Sequence, residues 1–272
     1  MTDPVSGGGK YSQASCFVGV NRRLAMRDDL LDAQSAVDWA RAQIPLFLRE
    51  LDAWQKRYPY RVIEERDLES GDRLVVALQE KTFPLTFNVW IGATLNSLRS
   101  SLDLLATALA ARNGKEPNRD WHFPLFGSFD KMNKGIDGAK YNEWLSQRER
   151  DMIRALKPYS GGDETLWPLH RLDILRKHER LIRGILVVHA VIQLTGDSHK
   201  TVWRARAAES RNHKTVLARL APTEHLSPSK HDILVDVIFT EEALGIVDAQ
   251  VIPFLRKFVC RIQEIITLFD VV

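Results

Sequence analysis

The stretch Leu166–Leu194, LWPLHRLDILRKHERLIRGILVVHAVIQL, decides the fold class. Read at helical period, Leu172, Ile174, Leu175, Leu181, Ile182, Ile185 and Leu186 form one broad apolar face, which predicts a helix over the whole stretch. Arg171 and His178 are seven residues apart, so they differ by only about 20° in direction and both lean toward the leucines. His170, Asp173 and Lys177 make a neighbouring stripe at i, i+3 and i+7. A solvated charged face would stand opposite the apolar one. Arg171 on this face therefore needs a carboxylate or carbonyl partner, because an unpaired buried guanidinium is costly.

Working toward the N-terminus, the apolar period predicts a second long helix from Pro84 to Arg112, stopped by NGKEPN. Asn96, Arg99 and Asp103 lie on one edge of it, beside Ile91, Leu95, Leu98, Leu102, Leu105 and Leu109. Arg99 and Asp103 are four apart and can pair. Before it, YRVIEERD and RLVVALQE read as a hairpin turned by LESG, and residues 28–57 as a helix that Pro45 should kink or divide. DWHFPLFGSFDKMNKGIDGAK has no period and is expected as a loop packed on the core, followed by a helix over Ala139–Leu156.

Toward the C-terminus, HKTVWRARA, KTVLARLA and DILVDVIFT read as strands, the last interior to its sheet or paired across a dimer. Thr240 is the expected N-cap of a final helix bent at Pro253. Strands do not alternate singly with helices, which argues against a doubly wound sheet. The expectation is an α+β protein, predominantly α: a helical bundle with a small antiparallel sheet. A flexible leader, residues 1–20, precedes a single domain, 21–272, with strands near 60–79 and 198–240.

Composition limits the function classes. Across 272 residues, 38 basic side chains face 35 acidic ones, too even a balance for a surface wrapped in nucleic acid. Cys16 and Cys260 form no CxxC pair and no disulfide framework, which points to a reducing compartment. No apolar run approaches the roughly 20 residues of a membrane span, and MTDPVSGGGKYSQAS lacks the plan of a signal peptide. The expectation is a cytoplasmic protein without membrane contact.

LRSSLDLLATALA, FPLF, LKPY and LWPLHRLDILRKHERL together resemble a group of bacterial proteins with the pattern L-R-S-x-L-D-H, F-P-x-F, Q-P-Y and L-x-x-L-H-x-L-D-x-x-D-K-H-R. The similarity covers Leu95 to Leu181, and no activity comes with the group. The first helix is also similar to the R-x4–6-H signature of HEPN proteins. That resemblance implies an α-helical, often dimeric protein, in a class that includes metal-independent ribonucleases of toxin–antitoxin and phage-defence systems. In those enzymes arginine and histidine act at the scissile phosphate. Arg99 matches the arginine, but Leu104 stands at the histidine position, and leucine can neither move a proton nor donate to phosphate. Asp173, Lys177 and His178 match in the second helix, whereas Arg176 and Glu179 depart. Arg171/His178, Arg183/His189, Arg206/His213 and Arg219/His225 also satisfy the spacing, so the expression alone discriminates little.

Three functions compete. One is a non-catalytic helical interaction protein, a degenerate HEPN-like module, whose polar cluster sets helix register. The second is a HEPN-like ribonuclease or RNA-binding protein, with Arg99 and His178 catalytic across facing helices. Asp103, His170, Arg171, Asp173 and Lys177 would then bind, and Trp121, His122 and Phe123 would stack on bases. The third is a small-molecule enzyme with a pocket between helices, lined by Tyr159, Trp167 and His170. No cofactor is expected, since P-loop, GxGxxG and GxSxG motifs are absent. No metal is expected either, since His170, Asp173 and His178 lack HExxH spacing. RNA, a protein partner or a second copy in a homodimer are the expected partners.

Overall fold

Leu95, Leu98, Leu102, Leu105 and Leu109 recur at three- and four-residue steps along helix α2 (Leu85–Arg112), and none has any exposure. The computed structural model describes residues 26–79, 81–116, 118–193, 200–206, 214–221, 224–226, 232–241 and 246–271. Helix α1 (Leu31–Arg57) packs along α2 through Val37, Ala40, Ile44 and Phe47. It is continuous through Pro45, so of the two alternatives expected there, a kink or a division, the division does not occur. Helix α7 (Val251–Asp270) lays Phe258, Ile262, Ile265 and Phe269 into the same core. Each such buried side chain contributes about 1.5–3 kcal/mol relative to an exposed one.

Arg112, the last residue of α2, pins this closure. Its Nη1 donates to the Phe269 carbonyl at 2.7 Å, and its Nε sits 2.5 Å from Asp29 Oδ2. The Arg112 hydrogen bond is the main reason the Asp29 carboxyl lies below its usual range.

The fold is α+β and predominantly helical, but it carries two antiparallel sheets where one was expected. Strands β1 (Arg61–Arg66) and β2 (Arg73–Leu78) form the hairpin read from the sequence, and β5 (Lys214–Leu220) joins β2. The second sheet has the order β4 (Lys200–Arg206), β3 (Gly184–Gln193), β6 (Asp232–Glu241), β7 (Ile246–Gln250). Strand β6 is interior, between β3 and β7. A second small core joins Val75 and Ala77 of β2, Val188 and Ala190 of β3, and Leu217 and Leu220 of β5.

Several boundaries correct the sequence reading. Leu166–Leu194 is not one helix: α6 (Leu166–His178) ends at His178, and Gly184–Gln193 is β3. A strand paired on both sides reads as a continuous apolar run, and such a run fits the helical period as well. Thr240 lies within β6, opposite Val247 of β7, rather than capping a helix. Pro253 falls in the first turn of α7, where a missing N–H costs nothing. The expected helix over Ala139–Leu156 is α4 (Ala139–Asn142) and α5 (Gln147–Ala155), because Ser146 and Glu149 form a capping box that starts a new helix. The expected loop contains α3 (Phe129–Gly135), capped by Ser128. Cys260 is disulfide-bonded, which removes the cysteine argument for a reducing compartment. The leader expected over residues 1–20 lies outside the described residues. No helix among the described residues is long and apolar enough to cross a membrane.

Gly184 marks where β3 crosses α2. Its amide donates to Asn88 Oδ1 at 3.0 Å. A Cβ there would sit 2.9 Å from Val237 Cγ1 and 3.1 Å from Ile91 Cδ1. Gly184→Val is therefore expected to cost about 1–3 kcal/mol through overpacking, seen as a lower urea midpoint at unchanged slope. A midpoint equal to that of the parent chain would show that the crossing has slack.

Candidate polar site between α2 and α6

Gly92, Asn96, Arg99 and Asp103 follow one another at four, three and four residues, so they share the face of α2 toward α6. Gly92 admits the Arg176 stem, since a Cβ there would lie 2.6 Å from Arg176 Cδ. From that seat Arg176 Nη2 donates to Asn96 Oδ1 at 2.5 Å and lies 3.7 Å from Asp173 Oδ1. Lys177 Nζ reaches Asp173 Oδ2 at 2.6 Å, so a buried aspartate on α6 stands between two cations of its own helix.

Arg99 is the most enclosed of the candidate residues on α2, at 5% exposure. Its Nη1 donates to Asp103 Oδ1 at 2.6 Å, and the same oxygen accepts the Phe123 amide at 3.0 Å. Asp103 thus ties α2 to the aromatic segment twenty residues further on. Asp103 Oδ2 lies 3.5 Å from His122 Nδ1. Burial raises the Tyr141 phenol, and the charge of Arg99 partly offsets that rise. Burial, and next the charge of Arg99, push His170 down to about 4, against partial restoration by Asp173 and Asp103. At neutral pH His170 is an uncharged imidazole beside a buried guanidinium.

The candidate residues divide accordingly. Arg99, Asp103, His170 and Asp173 belong to this cluster, with Lys177 at its edge through Asp173. His178 does not: it is exposed at the end of α6 and makes no hydrogen bond or ion pair among the described residues. It stands eight residues, or about 12 Å of helix, beyond His170. The leaning of Arg171 and His178 toward one apolar face also fails, because the leucines beyond α6 are not on its helix. Arg171 opens instead onto a surface depression beside Trp167.

The sequence reading missed Tyr141 altogether and assigned His122 only to base stacking. No spacing signals either, since His122 reaches the cluster through the fold of the aromatic segment and Tyr141 from α4, which follows it. Trp121 and Phe123 are 9% and 2% exposed, and Trp121 stacks on Trp144 with ring centres 5.7 Å apart. They are core residues and present no face to an RNA base. No group of three or more His, Cys, Asp or Glu placed to hold a metal occurs among the described residues.

Comparison of the chain with protein-family models, curated proteins and solved structures finds no match.

Proposed function

We propose that the chain is a non-catalytic helical interaction protein, related to HEPN modules in degenerate form, whose buried polar cluster sets the register of α2, α6 and the aromatic segment. The observation that carries this reading is Asp103 Oδ1, which takes both the Arg99 guanidinium and the Phe123 amide. A buried arginine matched to a carboxylate of its own helix is already neutralised and held. A general acid–base catalyst needs geometry first, and His178 is remote from Arg99 along α6. Trp121 and Phe123 are buried, so of the three side chains expected to stack on bases only His122 is exposed. The partner in this reading is a second copy of the chain, as the HEPN resemblance implies. Leu85 and Val89, exposed one turn apart at the start of α2, offer apolar surface for it.

The test is incubation of the purified protein with mixed RNA in EDTA, beside Arg99→Ala and His170→Ala, with light scattering on the same samples. The expected result is no cleavage by any of the three and a parent mass of twice the 31.1 kDa chain. The ribonuclease reading keeps one observation in its favour: folding brings His170 and His122 to the Arg99–Asp103 pair. Cleavage by the parent that both variants lose, at unchanged melting temperature, would establish that reading and overturn the first.

A further inference from the structure

We propose that the open depression beside the first two turns of α6 binds a nucleoside monophosphate, with the phosphate on Arg171 and the base laid against Trp167. The depression measures about 490 Å³, within the range of small-molecule sites. Trp167 and Arg171 both line it, and their four-residue spacing stacks the ring and the cation on one helix face.

The charges on its wall point to an anion. Asp163 is committed: Oδ1 accepts the amides of Thr165 and Leu166, each at 2.8 Å, and Oδ2 takes Arg261 Nε at 2.8 Å. Glu164 pairs with Lys257 at 3.1 Å. Arg171 is half-buried and makes no hydrogen bond or ion pair among the described residues. The guanidinium therefore enters the depression with its donors uncommitted among the described residues. Its charge also disfavours protonation of His170. An oxyanion supplies the missing partner, and Arg presents a donor fork that fits phosphate.

The floor is built rather than incidental. Lys157 holds φ 54°, a conformation that non-glycine residues rarely adopt. A Cβ on Gly162 would fall 2.3 Å from the Lys157 carbonyl oxygen, so only glycine fits there. The Ser160 amide donates to Phe126 O at 3.2 Å, and Phe126 N donates to Pro158 O at 2.8 Å. Gly161, at φ +85°, leaves open space where a side chain would stand.

The test is calorimetric titration of the full chain with AMP, adenosine and inorganic phosphate, repeated on Arg171→Gln and Trp167→Leu. AMP is expected to bind with a Kd of about 0.1–1 mM, and adenosine and phosphate roughly tenfold more weakly or worse. Arg171→Gln should weaken AMP roughly tenfold to a hundredfold, the loss of charge-assisted hydrogen bonds. It should leave the melting temperature unchanged, since Arg171 holds nothing in the fold. Trp167→Leu should bring AMP down to the affinity of phosphate. No AMP binding at about 10 mM, unaltered affinity in Arg171→Gln, or phosphate bound as tightly as AMP would each overturn the proposal. None of these outcomes depends on the reading of Arg99.

Discussion

Arg99→Ala is expected to destabilise the protein by about 3 kcal/mol, the low end of the cost of breaking one half of a buried ion pair. The loss has two parts. Asp103, itself only partly exposed, is left with the Phe123 amide and a histidine 3.5 Å away as its remaining partners. The guanidinium and its stem also leave a gap in a wall formed by neighbours such as Leu98 and Leu102, which have no exposure. At roughly 2–4 °C per kcal/mol for a chain of this size, calorimetry should find the transition roughly ten degrees lower. Asp103→Asn separates the roles, because its side-chain oxygen still accepts from Phe123 and Arg99 but carries no charge. A double-mutant cycle between the two positions should return a coupling of about 1–3 kcal/mol. Melting of Arg99→Ala within a degree of the parent would show that the guanidinium is no structural tie and is available to a ligand.

The helical bundle was legible because its period is long and clean. Leu95, Leu98, Leu102, Leu105 and Leu109 of α2 could be read directly, as could the pairing of Arg99 with Asp103 four residues on. The β1–β2 hairpin was legible for a similar reason, with two β-rich runs around a turn at Asp67–Asp72. What failed was the border between periods. Ile185, Leu186, Val187 and Val188 follow Leu181 and Ile182 without a proline, so the helical count carries on through Gly184. Strand pairing on both sides, with β4 and β6, settles that segment as β3, and pairing over such distances along the chain leaves no local mark.

The site was half legible for the same reason. Residues of one helix, such as Asp173 and Lys177, declare themselves by spacing. His170 was among the candidates, but its place beside Arg99 depends on how α6 lies across α2 at Gly92. The choice of His178 over His170 followed from extending α6 too far. With the helix continued to Leu194, His178 sits mid-helix among leucines; with the helix ending at His178, the same residue is a solvated terminus.

Stability should fall as the pH drops from about 6.5 toward 5, and His170→Gln should flatten that fall. His170 titrates near 4 in the folded protein against 6.5 for an ordinary histidine, chiefly because burial and then the Arg99 charge disfavour the imidazolium. Between those values the unfolded chain binds a proton that the folded chain does not, so acid favours unfolding. Above about 6.5 both states hold a neutral imidazole and this contribution is constant. The unscreened shift corresponds to about 3 kcal/mol, and partial access of solvent reduces the expected effect to about 1–2 kcal/mol. The quantity to measure is the difference in urea midpoint between the parent and His170→Gln at each pH, which cancels the carboxylates common to both. Arg99→Met should shrink the same slope, since removing the cation raises the folded-state value of His170 while burial still holds it below 6.5. An imidazole resonance assigned to His170 that titrates near 6.5 would mean the ring is hydrated and not neighboured by Arg99, and the polar cluster would then lack its α6 half.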